Sequence, residues 1–213
     1  MNAILSSAYL PPIEYCAFLL QDDVWLERCE NFQKQSFRTR AVILTSNGPL
    51  TLSVPVVHSS AKEPIGQTRI EYVTPWQRTH WRAIESAYGG SPFFLYYQDA
   101  LRPFYEQHFE YLFDFNQQLL QTILRLLKIR PELHLTEDFA AIQPNDLRTM
   151  IHPRKKAEAD YPLHYTEPYY QVFNEKFGFV PNLSIIDLLF NIGPESTNYL
   201  HNAYQHFQLA LTR

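Results

Sequence analysis

Three cations crowd one short stretch of this sequence: Lys34, Arg38 and Arg40, within Gln33-Lys34-Gln35-Ser36-Phe37-Arg38-Thr39-Arg40. If the stretch is extended, alternate side chains share a face, and all three cations fall on the same one. Arginine forks grip phosphate or carboxylate through two parallel hydrogen bonds, so such a face suits a small anion. A solvated basic edge that discourages strand pairing would use the same residues, and spacing alone leaves both readings open. Just upstream, Glu27 and Glu30 are close enough in sequence to neutralise the basic face. A carboxylate beside arginines ionises more readily, which favours a salt bridge or a clamp on a polar substrate over a proton donor.

His80, in Thr79-His80-Trp81, stands one turn after Trp76 and one turn before Ile84, and so points with the apolar face of its helix. Histidine is the natural general base near neutral pH, but on such a face it also serves as a hydrogen-bonded core residue. Ser184, Asp187 and His201 do not form a triad pattern, because no Gly-x-Ser-x-Gly elbow surrounds any serine. Phosphate-cradling glycine loops are absent from a chain with 6 glycines. The histidines and cysteines fall in no metal-binding spacing, so the sequence calls for no metal and no cofactor.

The elements that must position these residues are legible in outline. Strands are expected over residues 3–9 and 24–29, with a short helix over 13–20 after Pro11-Pro12. Residues 41–44, Asn47-Gly48 and the alternating Leu50, Leu52, Val54 and Val56 predict a β-hairpin, since Asn-Gly accepts the positive φ angles of a tight turn. Thr68, Ile70 and Tyr72 suggest one more strand. Helices follow: one from Thr74-Pro75 to Gly89-Gly90, and another opening at Ser91-Pro92. A third carries Leu112, Phe115, Leu119, Ile123 and Leu126 and closes at Pro131; a last one is marked by Leu200, Ala203, Tyr204 and Phe207. Residues 136–181, rich in proline, tyrosine and charge and including His152-Pro153-Arg154-Lys155-Lys156, read as irregular, either a lid or a long surface excursion. The fold class is α+β: an N-terminal, mostly antiparallel or mixed sheet with a hairpin, followed by a helical part packed on it.

At 213 residues, 46% hydrophobic and 19% charged, the chain is expected to form one domain, residues 1–213, around one core. A formal charge of -4 lacks the footprint of a dedicated nucleic-acid binder, and none is expected as a partner. Two cysteines, Cys16 and Cys29, fit reduced thiols rather than a disulfide framework. No leader pattern and no long apolar run argue for export or membrane insertion, so a soluble cytoplasmic protein is expected. Its oligomeric state is not readable from sequence. Aromatic residues reach 15%, which suits either a tyrosine-lined polar cleft or an aromatic-rich core.

The opening Leu5-Ser6-Ser7-Ala8-Tyr9-Leu10-Pro11-Pro12-Ile13-Glu14-Tyr15 resembles that of the WbqC-like family. So do Glu30-Asn31-Phe32 with the basic stretch after it, Trp76 with His80-Trp81-Arg82-Ala83-Ile84, Ala87-Tyr88, Ser91-Pro92-Phe93-Phe94, and the block from Asn182 to Asn191. These blocks span essentially the whole chain. One departure is Thr39, where the family usually carries Asn between the two arginines, so a role needing both donor and acceptor there is in doubt. The family is associated with genes for O-antigen and other surface polysaccharides, which implies work on a sugar-phosphate type small molecule and strengthens the anion-site reading. The expected reaction is transfer of an acyl or aminoacyl unit to a nucleotide- or lipid-linked sugar; a non-catalytic binding or assembly protein of such a pathway is the alternative. The expected site sets His80 and Glu30 as catalytic groups, with Lys34, Arg38, Arg40, Tyr9, Tyr15 and Glu27 binding the substrate. The basic strand face and His80 are expected to open into one tyrosine-lined pocket.

Overall fold

The structure, a computed structural model, describes residues 3–57, 63–139, 146–153, 163 and 165–211. In chain order the strands and α-helices are Ala3–Ser6 (β1), Ile13–Phe18 (α1), Asp23–Glu27 (β2), Arg40–Thr45 (β3), Gly48–Ser53 (β4) and Trp76–Tyr88 (α2). They continue with Phe94–Leu101 (α3), Leu112–Leu127 (α4), Glu132–Leu135 (β5), Asn174–Phe177 (α5), Ile185–Ile192 (α6) and Ser196–Leu211 (α7). The α+β expectation holds, and the strands are mixed in direction.

β1, β2 and β5 form a three-stranded sheet in that order, with both pairings parallel. Parallel neighbours need a crossover, and α1 supplies the one between β1 and β2. β5 joins from beyond the helices, across β2 from β1, so this sheet does not belong to the N-terminal third alone. On the outer side of β1, Ile4 bridges Asp146, and the Leu147 amide donates to the Ile4 carbonyl at 3.0 Å. The carboxyl ends of β1, β2 and β5 therefore lie side by side, with residues 146–148 alongside.

The antiparallel pairing expected for the N-terminal strands is confined to the hairpin of β3 and β4, registered from Arg40 opposite Ser53 to Thr45 opposite Gly48. Its turn needs Gly48, whose φ of 103° is closed to residues with a Cβ. The strand expected at Thr68, Ile70 and Tyr72 does not form. Ile70 makes an isolated bridge to Val56 and Arg69 one to Tyr111, and no continuous ladder develops. Two backbone hydrogen bonds flank the Val56–Ile70 bridge, from the Glu71 amide to the Pro55 carbonyl and from the Val57 amide to the Arg69 carbonyl, and Pro55 has no amide with which to extend the ladder.

One cluster of buried apolar side chains extends from Ala3 to Phe207. α2 contributes Trp76, His80, Ile84, Ala87 and Tyr88, the face its spacing predicts, and α4 contributes Leu112, Phe115, Leu119, Ile123 and Leu127. α4 ends at Lys128, which takes the left-handed conformation at φ 57°, three residues before the expected stop at Pro131. α7 packs on α1, stacking Phe207 on Phe18 with ring centres 5.8 Å apart. Among the described residues no helix is long and apolar enough to cross a membrane.

Candidate functional site at the carboxyl edge of the parallel sheet

Residues 33–40 are not extended. The Ser36 hydroxyl donates to the Gln33 carbonyl at 2.7 Å, the Thr39 and Arg40 amides both return to the Ser36 carbonyl, and Gln35 has φ 59°. A serine that bonds locally to the backbone competes with extended structure, and here it curls the chain. The three cations consequently separate. Lys34 is exposed, Arg40 is half-buried at the start of β3, and Arg38 is 2% exposed, so the expected basic face does not exist.

Arg38 instead turns inward to the end of β1. Its Nε donates to Glu30 Oε1 at 2.8 Å, its second terminal nitrogen bonds Glu30 Oε2, and the same nitrogen donates to Ser6 Oγ at 2.7 Å. The Ser6 hydroxyl in turn donates to Glu30 Oε2 at 3.3 Å. Beside it, at the end of β2, the fully buried Glu27 accepts from Arg148 at 2.6 Å, from the Thr136 hydroxyl at 2.6 Å and from the Cys29 amide at 2.7 Å. Arg148 also forks onto Asp146 at 2.9 and 2.5 Å. The hydrogen bond it donates to Asp146 chiefly holds the Arg148 guanidinium above its ordinary value, and charges on Asp146, Glu27 and Glu30 add to this. The two pairs thus form one cluster, in which three carboxylates face two guanidiniums.

A small cavity of about 10 Å³ adjoins the cluster, lined among others by Ser6, Ser7, Tyr15, Arg38 and Arg148. That is room for about one water. Tyr15 donates its hydroxyl to the Ser6 carbonyl at 2.9 Å, and burial raises its pKa.

His80 belongs to an adjoining closed network rather than to a cleft. Its Nδ1 lies 2.9 Å from the Tyr9 hydroxyl, which also bonds the Tyr105 hydroxyl at 2.9 Å. Its ring meets Trp76 edge-on at 5.2 Å and stacks near Tyr9 at 5.7 Å. Only 5% of His80 is exposed, and it lines neither the cavity beside the ionic cluster nor the groove along α4, so the common pocket expected for it and the basic face is not seen there. The walls are aromatic because α2 must bury its Trp76 face, and the histidine goes in with it. The two networks meet through the backbone: the Tyr9 amide donates to the Phe37 carbonyl at 2.8 Å, while Asn116 donates to both Ser7 Oγ and the Arg38 carbonyl.

Burial lowers the pKa of His80 from 6.5 to about 4, against a smaller opposing effect of its hydrogen bond to the Ser53 backbone. Above pH 6.5 the ring is neutral in both folded and unfolded chains. Between 6.5 and 4 the unfolded chain binds a proton that the fold refuses, so His80 makes stability fall as pH drops, by about 3 kcal/mol in all. Denaturant unfolding at pH 7 and 4.5 should show a larger loss for the wild type than for His80→Gln. Equal losses would mean that the histidine is not held neutral.

Of the residues expected at the site, Glu27, Glu30, Arg38 and Tyr15 converge on the carboxyl edge, Tyr9 and His80 sit one layer away, and Lys34 and Arg40 stand apart. Ser6, Thr136, Asp146 and Arg148 were not anticipated in any role. Arg148 lies in the run read as irregular, 121 residues from its partner Glu27. Of the basic run in that segment, Arg154, Lys155 and Lys156 lie outside the described residues. Among the described residues, no group of three or more His, Cys, Asp or Glu is placed to hold a metal ion.

A parallel sheet with a buried ionic cluster at its carboxyl edge, joined to a hairpin and a helical layer, defines an α+β protein with a closed polar centre. The chain belongs to the WbqC-like protein family, whose profile matches residues 6–167 and 142–199. It is also 30% identical over 235 residues to the uncharacterized protein Rv1507c of Mycobacterium tuberculosis, a likeness that covers 95% of this chain and 98% of that protein. No solved structure matches it.

Proposed function

We propose that this chain is a cytoplasmic group-transfer enzyme of surface-polysaccharide synthesis, moving an acyl or aminoacyl unit from an activated ester or thioester onto a nucleotide- or lipid-linked sugar. The observation that carries this reading is the cluster of Arg38, Arg148, Glu27, Glu30 and Asp146 at the ends of the parallel strands. Burying five charged groups costs several kcal/mol per ion before pairing returns it, and packing alone is served as well by apolar side chains. In open α/β sheets, moreover, the carboxyl edge is where ligands bind.

In this reading Glu30 acts through Ser6, which stands on the cavity wall with its hydroxyl toward the carboxylate. As the lone pair of the sugar amine or hydroxyl attacks the acyl carbonyl carbon, its proton passes by way of Ser6 Oγ to Glu30. The carbonyl oxygen gains negative charge that Arg148 can meet. On collapse the leaving group departs with its electron pair and takes the proton back from Glu30. His80 and Tyr9 are positioning residues, holding the backbone of Phe37 against the end of β1. The water-sized cavity admits no sugar, so the acceptor meets the cluster at its rim.

That closure favours a second reading, a non-catalytic binding or assembly protein of the same pathway. A thermal-shift screen of sugar nucleotides separates the two. A ligand at 100 times its Kd should stabilise the chain by about 2.7 kcal/mol, and Ser6→Ala should weaken the effect and abolish turnover. Absence of any stabilisation, together with co-purification of a pathway enzyme, would leave the assembly reading.

A further inference from the structure

We propose that a second site, at the opposite end of the sheet from the ionic cluster, binds a phosphate-bearing small molecule. The C-terminal half of α4, the following turn and the start of β5 border a groove of about 780 Å³, within the size range of small-molecule sites. Arg125, Lys128 and Arg130 line it, and no acidic residue does. All three are exposed, and none makes an ion pair among the described residues. In a chain of net charge -4, three uncompensated cations within six residues run against the overall balance.

Structural reasons account for only part of this arrangement. A cation in the last turn offsets the partial negative charge of a helix end, which covers Arg125, but the effect fades within that turn and Arg130 lies beyond it. Lys128 occupies a left-handed position where glycine is the ordinary cap, so its side chain is kept despite its backbone. The groove is also built for a ligand. Gln118, Gln121, Arg125 and Lys128 recur at three and four residues along one stripe of α4 and its cap. The Arg125 guanidinium is fixed by donating to Thr122 Oγ1 at 2.9 Å. Beneath them, the buried Phe104, Leu124 and Ile129 give an apolar floor, which fits an organic phosphate. The smaller hollow adjoining at Arg125 includes one acid, Asp99, which does not line the groove itself.

This inference does not depend on the group-transfer reading, because the two sites share no residue. Its test is calorimetric titration of the whole chain with inorganic pyrophosphate at low and moderate salt. Saturable binding is expected, weakened about tenfold or more in the Arg125→Gln, Lys128→Gln, Arg130→Gln triple variant, since hydrogen bonds to charged groups are lost. It should persist in an Arg78→Gln, Arg82→Gln control, which removes two exposed cations from α2. A parallel sedimentation with phosphatidylglycerol vesicles separates a lipid surface from a free phosphate. No saturable pyrophosphate binding, equal weakening in the control, or binding to vesicles alone would overturn the proposal.

Discussion

Arg148→Ala is expected to lower the unfolding free energy by about 3–5 kcal/mol, because it leaves the buried Asp146 and Glu27 carboxylates facing each other without the positive charge that links them. Arg148 donates three hydrogen bonds to these two carboxylates, each worth about 1.5–3 kcal/mol net, so a loss of this size is within what they contribute. Arg148→Lys restores the charge but not the fork, so it should recover part of the loss. The control is Arg102, whose guanidinium sits 2.6 Å from Glu106, as close as Arg148 is to Glu27. That pair is more than half exposed, and Arg102→Ala should leave stability within error. Equal effects of the two alanine variants in denaturant unfolding would mean that the cluster is hydrated rather than buried.

Phe115→Ala should be nearly as damaging, at about 3–5 kcal/mol. Phe115 is fully enclosed, with its ring 5.7 Å from those of Tyr9 and Trp76 and 5.2 Å from that of Phe109. Removing it opens the aromatic wall that keeps His80 dry. The imidazole should therefore titrate above its present value of about 4, moving toward 6.5, which an NMR titration of the ring protons reads directly. A full loss of stability with an unmoved His80 would show that the enclosure depends on Trp76 and Tyr9 without Phe115.

Much of the fold was legible because its signals are local. The hairpin followed from alternation and Asn47-Gly48, α2 from its start at Thr74-Pro75 and stop at Gly89-Gly90, and α4 and α7 from three- and four-residue spacing. β5 was missed because four residues, Glu-Leu-His-Leu, carry almost no pattern and their partner is 109 positions away, as in Asp23 opposite Glu132. α6 was quoted without being assigned an element, since it is short and nearly all its residues are buried, with Asp187 and Asn191 the two polar positions that mark its period. The site divides the same way. Glu27 and Glu30 were expected to neutralise the basic face from nearness in sequence, and Glu30 does pair with Arg38 eight residues on, whereas Glu27 with Arg148, or Ser6 with Arg38, depends on topology that no spacing reports. The alternation of Lys34, Arg38 and Arg40 misled because Ser36 curls the chain they lie on.

The order of the parallel strands also governs how this protein leaves the ribosome. β1 and β2 emerge early, but β2 gains its second neighbour only when residues 132–135 have been made, and β1 its outer one only with residue 146. At about 5–20 residues per second, β2 waits on the order of 5–20 s with one edge unpaired. Closing so long a loop pays its entropy before the contacts return it, so the sheet should be slow to complete. Glu27 meanwhile stays hydrated, since Thr136 and Arg148, which later enclose it, arrive with the same late segments. A charged, solvated carboxylate at the end of a waiting strand discourages stray strand pairing, so a residue whose charge is fully buried in the finished fold protects the unfinished one.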